Sequence, residues 1–123
     1  MSMATTKEIG RQYESEAASY FERKGWQLLA RNFSCKLGEV DLIFRDPAGT
    51  VVFVEVKFRS RNDFGFGQEC VGYKKQAKMA KAALAYIKEK RLGGNPFRFD
   101  IASVTPESLE HIPNAFSPEG YTL

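Results

Sequence analysis

The chain has little cysteine, one histidine, no long apolar run and almost no imbalance of charge. Two cysteines in 123 residues, Cys35 and Cys70, form neither a disulfide framework nor a metal-ligand spacing. Two free thiols in a reducing compartment are expected. The lone His111, ahead of Ile112-Pro113, is read as structural. No segment approaches the roughly 20 apolar residues that span a membrane, and Met1–Thr6 lacks the apolar stretch of a secretory signal. These absences exclude a disulfide-stapled secreted domain and a helical membrane protein. They leave the expectation of a soluble cytoplasmic protein with no membrane partner.

What is present is enough for one core. Hydrophobic residues make up 43% and aromatics 13%, so wholesale disorder is excluded. The length suits a single domain, placed at residues 7–116, with loose arms at 1–6 and 117–123. The net charge of +3 says little by itself, but its distribution says more. From Lys74 to Arg91 there are seven Lys or Arg residues and one acid, Glu89. Lys57, Arg59 and Arg61 form a second basic group upstream. Such a surface attracts polyanions, although a solvated helix face would have the same composition.

Periodicity predicts the elements. Ile9, Tyr13, Ala17, Tyr20 and Phe21 recur at helical spacing over 7–24, with Gly25 just past the end. Strands are expected over 27–33, 40–45, 51–58 and 97–104, with a short edge strand over 111–116. Asp46–Thr50 is a turn, 60–72 a long loop, and 73–91 an Ala- and Lys-rich helix stopped by Gly93-Gly94. The order is α-β-β-β-α-β. The second helix is long enough to cross over and set the last strand parallel to the third. The predicted class is α/β, three layers α/β/α around a mixed sheet.

The central hairpin places the charges. With its centre near Ala48, facing positions sum to about 96. Val40, Leu42 and Phe44 then oppose Val56, Val54 and Val52 on an apolar face. The other face pairs Ile43 with Phe53, Asp41 with Glu55, and Glu39 with Lys57. A slip of one residue would put charges into the apolar face, so the parity is fixed, while a slip of two residues stays open. Asp41 and Glu55 are two opposed carboxylates in a segment built for burial. Three remedies exist: a shared proton, an ion pair with Lys57, or a divalent cation of the Mg²⁺ type, which takes oxygen ligands. Lys57 lies two residues after Glu55 and so on its face. A lysine there can stabilise charge developing on phosphorus, and Asp, Glu and Lys together supply the parts of metal-assisted phosphodiester hydrolysis.

Gly38-Glu39-Val40-Asp41-Leu42-Ile43 followed by Val52-Phe53-Val54-Glu55-Val56-Lys57-Phe58-Arg59 resembles the PD-(D/E)XK nuclease signature. More closely, the chain resembles the YraN-type family of small predicted endonucleases. Arg31-Asn32, Lys75-Gln76, Arg98-Phe99-Asp100, His111-Ile112 and Asn114-Ala115-Phe116 extend the match from about Gly10 to Phe116. The resemblance implies a restriction-endonuclease-like fold, similar to that of archaeal Holliday-junction resolvases. It implies Mg²⁺ or Mn²⁺ held by Asp41, Glu55 and the Val56 carbonyl, with Lys57 as catalytic lysine and Glu14 of the first helix as a further catalytic carboxylate. Gln76 either reaches this cluster or a phosphate, or satisfies a nearby backbone group. Arg59, Arg61, Lys74, Lys75, Lys78 and Lys81 are the candidate nucleic-acid contacts. The chain departs from the family pattern at Tyr13, where a second glycine is usual before the glutamate, and at Val40, where proline is usual.

The expected activity is a metal-dependent endonuclease acting on DNA, branched or damaged DNA included. Two other readings compete. One is a nucleic-acid-binding module with a vestigial site, which opposed carboxylates argue against. The other is a protein-interaction factor, and a homodimer is compatible with every feature above. Asp100 is expected to pair with Arg98 or a neighbour, and Trp26 to serve the core.

Overall fold

A computed structural model describes residues 5–59 and 72–117. Helix α1 (Thr6–Arg23) starts at Thr5, whose hydroxyl accepts the Glu8 N–H at 3.1 Å. It ends where Trp26 N–H reaches Phe21 O at 3.1 Å across Gly25, which has φ +87°. That closure needs a left-handed residue and seats Trp26 against Phe21, with ring centroids 4.6 Å apart. The remaining elements are β1 (Gln27–Cys35), β2 (Gly38–Arg45), β3 (Val51–Phe58), α2 (Tyr73–Glu89), β4 (Phe97–Val104) and β5 (Leu109–Phe116). Helix α2 stops two residues sooner than expected. Arg91, rather than a glycine, adopts the left-handed position there at φ +57°, while Leu92 N–H bonds Ile87 O.

The five strands lie in sequence order, β3 and β4 parallel and the other pairs antiparallel. One helix covers each face. Ala17, Ala18 and Phe21 of α1 pack on Leu42, Phe44, Val52, Val54 and Ala102. Met79, Ala80, Ala83 and Tyr86 of α2 pack on Ile43, Val51, Phe53, Phe99 and Ile101. Strand β3 is thus buried on both sides, as a strand running parallel to its neighbour beneath a crossover helix must be. The layered α/β/α arrangement with a mixed sheet is the one expected. The edge strand β5 is longer than expected, at eight residues.

The hairpin register is also as expected: Leu42 faces Val54, Ile43 faces Phe53 and Phe44 faces Val52. One assignment needs correction. Val40 does not share the α1 face with Leu42 and Phe44, but belongs to the α2-side core. The reason lies on β1, where Arg31 faces Leu42 and Phe33 faces Val40. Between them Asn32 has φ +51°, a left-handed conformation that asparagine tolerates better than most residues. It breaks the two-residue alternation, so Arg31 reaches Ser15 on α1 while Phe33 packs on the α2 side. Helix α2 lies directly on the start of β2. A Cβ at Gly38 would sit 2.4 Å from the Lys78 carbonyl oxygen, so only glycine allows this approach.

At the far side, Asp100 is fully buried and fully partnered. It accepts from Arg98 Nε at 3.0 Å and Asn114 N–H at 2.9 Å, and meets His111 Nε2 at 2.6 Å. Burial would raise its pKa, but the bonds from His111, Arg98 and Asn114 outweigh that and hold it below the ordinary value. This network ties β5 to β4, and His111 and Asp100 have the structural roles expected of them.

Candidate active site at the fork between β2 and β3

The main-chain pairing of β2 with β3 is recorded from Arg45/Val51 only as far as Leu42/Val54. Beyond that point the Asp41 carboxylate takes the next donor, accepting Val56 N–H through Oδ2 at 2.9 Å. Glu55, 3% exposed, hydrogen-bonds the Asp41 side chain across this fork. Burial first, then the bond to Asp41 and its charge, push Glu55 up to about 8. Glu55 therefore holds its proton to higher pH than an ordinary carboxyl does. The expected opposition of Asp41 and Glu55 is present.

The basic partner is not the one expected. Lys75 Nζ of α2 lies 3.2 Å from Glu55 Oε1. Burial alone would lower the Lys75 pKa, but Glu55, Asp41 and Glu39 together raise it. Lys57 is half-buried one alternation beyond Glu55, and it has no ion-pair partner among the described residues. The sequence could not anticipate this, because Lys75 arrives from a helix whose seat is set by Gly38.

Glu14 of α1 lies near enough to Asp41 for their charges to interact. Burial and the neighbouring Asp41 charge raise its pKa, opposed by a hydrogen bond from the Asn32 side chain and by Arg31 and Arg11. Its Oε1 is buried without a partner among the described residues. Asn32 is a site residue that single-residue reasoning missed. The signal was the Arg31-Asn32 pair, whose left-handed backbone and side chain both serve this corner. Gln76 is half-buried beside Lys75 in the first turn of α2. Among the described residues, no group of three or more His, Cys, Asp or Glu side chains is placed to hold a metal ion.

The basic residues divide. Lys74, Lys75 and Lys78 line a groove of about 530 Å³ together with Lys36, Ser34 and Glu39, between the β1–β2 turn and α2. Lys36 was not anticipated. Lys81 is exposed and does not line that groove. Arg59 is half-buried and its N–H bonds Val104 O at 2.8 Å. Arg61 and Cys70 lie outside the described residues, while Cys35 is a free thiol.

Fold and site together define a three-layer α/β/α domain with a buried acidic pair, a flanking lysine and a basic groove at the end of its central strands. The chain belongs to the uncharacterised protein family UPF0102, whose model matches residues 13–104. The YraN-type resemblance of its motifs is thereby borne out. It is 41% identical over 108 residues to a UPF0102 protein of Lachnoclostridium phytofermentans, covering 87% of this chain and 91% of that one. It is 42% identical over 114 residues to one from Geobacter metallireducens, covering 89% and 93%. Among solved structures it is similar to EndoMS in a complex with double-stranded DNA, at TM-score 0.41 and 17% identity. That match covers 82% of this chain but spans 37% of the EndoMS chain. A likeness at that level adds nothing to the argument for fold or activity. Among the described residues, no helix is long and apolar enough to cross a membrane.

Proposed function

We propose that this chain is a metal-dependent endonuclease of the restriction-endonuclease-like type that hydrolyses phosphodiester bonds in DNA. The observation that carries the reading is the fork itself, where Asp41 and Glu55 are forced together; Glu14, near enough to feel the Asp41 charge, keeps a buried Oε1 unpartnered among the described residues. A fold does not bury opposed carboxyls and an unpaired carboxylate oxygen without cost. The donors are all hard oxygens, which fits Mg²⁺ or Mn²⁺. Asp41, Glu55 and the Val56 carbonyl would hold the ion, with water completing its shell. When bound, it supplies Lewis-acid polarisation of the phosphate and an acidified water.

The remaining work falls to the chain. Asp41 keeps its place through Val56 N–H, and Glu14 is aimed by Asn32. Lys57, free of an ion pair among the described residues, offers its ammonium to the phosphoryl oxygens as they gain charge. Lys36, Lys74 and Lys78 bind flanking phosphates, a task for point charges rather than base-reading forks. Water adds to phosphorus, one ester P–O bond breaks, and a phosphate monoester end and a hydroxyl end result.

The test is cleavage of linear, nicked, flap and four-way-junction DNA with Mg²⁺ or Mn²⁺ by wild type and Glu55→Ala. Cutting of at least one substrate by wild type alone is expected. A folded wild type that binds these DNAs and cuts none would reduce the site to a vestige.

A further inference from the structure

Beside the fork lies a feature the mechanism does not use. Tyr13 of α1 and Phe58 at the end of β3 stack nearly parallel, with centroids 4.4 Å apart and planes 18° from one another. Tyr13 is the residue before Glu14, and Phe58 is the residue after Lys57. Phe58 is 49% exposed, and Ile9, one helical turn before Tyr13, is 37% exposed. Two aromatic rings held face to face at a surface are unusual, because burial would gain both more. The rings of the core, such as Phe21 and Phe53, are fully buried. Arg11, two residues before Tyr13 on α1, is near enough for its charge to act on Glu14.

From the proposed nuclease reading, we infer that the Tyr13–Phe58 stack is a platform for one unpaired nucleobase next to the phosphate being cut. A base presents a π face whatever its identity, and stacking on an aromatic side chain is tolerant of sequence. Bases inside a continuous duplex already stack on their neighbours and cannot reach a ring at the protein surface. Arg11 supplies a cation for a phosphate that flanks such a base. The substrate class is then DNA with an unpaired nucleotide at the cut: a flap, a junction, a mismatch or a single strand.

The experiment measures binding to protein carrying Glu55→Gln, so that nothing is cut. Oligonucleotides containing 2-aminopurine are offered as single strand, as duplex with a flap and as continuous duplex. Quenching of the probe is expected on the first two. Phe58→Leu and Tyr13→Leu should remove the quench and lower the ratio of single-strand to duplex affinity about tenfold or more. Phe58→Trp should retain the quench, which separates stacking from mere filling of space. An unchanged ratio in the leucine variants, with salt-dependent duplex binding intact, would overturn the platform and leave the nuclease reading standing. Absence of binding to any DNA would overturn both. A dimer of wild type that dissociates in Phe58→Leu, with that ratio unaltered, would make the patch a self-association surface and overturn the platform.

Discussion

Asp41 Oδ2 accepts the main-chain N–H of Val56 at 2.9 Å, so one side chain does the work of the missing rung between two strands. Its carboxylate thus has two duties, closing the sheet and forming the site, and substitutions separate them. Asp41→Asn keeps an acceptor for Val56 N–H and loses the charge. Its Tm should stay within a few degrees of wild type, while Mn²⁺ binding by calorimetry disappears. Asp41→Ala leaves the N–H without its partner and should cost about 1–3 kcal/mol in denaturant unfolding. Equal Mn²⁺ affinity for wild type and Asp41→Asn would remove Asp41 from the ligand set.

Glu55 makes stability depend on pH. Its pKa is raised in the folded state to about 8, whereas the unfolded chain ionises near the ordinary value of about 4.3. Between these values the native state holds the extra proton, so metal-free stability is greatest below the lower value. It falls as pH rises toward the higher one. Glu55→Gln cannot ionise and should abolish that slope. Melting without metal should show the variant gaining on wild type by roughly 1–3 kcal/mol between pH 5 and pH 8. Parallel Tm curves across this range would contradict the raised Glu55 pKa.

Lys57 and Lys75 should fail in different ways. Lys57 has no ion-pair partner among the described residues, so Lys57→Ala should leave Tm almost unchanged. Single-turnover cleavage should fall by two orders of magnitude or more, because its interaction is made in the transition state. Lys75 pairs with Glu55 at 3.2 Å. Lys75→Met should therefore alter Glu55 titration and lower duplex affinity, with a smaller salt slope by about one. A Lys57→Ala protein that cuts at the wild-type rate would exclude it from the chemistry.

Asn32 carries a backbone role and a side-chain role. At φ +51°, Asn32→Ala pays for the left-handed conformation by about 1–2 kcal/mol. Asn32→Gly keeps the backbone and removes only the hydrogen bond to Glu14. The glycine variant should hold its Tm better than alanine, yet lose cleavage to a similar extent. If glycine restores activity along with stability, Asn32 acts through the backbone alone.

The sequence by itself determined the elements, the mixed layered sheet and the heart of the site. The alternation of apolar residues set Leu42 against Val54 and so brought Asp41 beside Glu55, because strand pairing follows a two-residue period that reads directly off the chain. Where that period breaks, the reading broke with it. Asn32 turns left-handed in mid-strand and sends Val40 to the other face, a backbone choice that no pattern of hydrophobicity encodes. The identity of Glu55's basic partner was decided only by tertiary packing. Lys57 shares its strand, but Lys75 reaches it because α2 is seated against Gly38 at a distance no Cβ would permit. Likewise Tyr13 and Phe58 are 45 residues apart in the sequence, and only the packing of α1 across β3 stacks them. Periodicity is local and survives in one dimension. The seat of a helix on a sheet depends on the fit of many side chains from distant segments, and that fit exists only once the chain has folded.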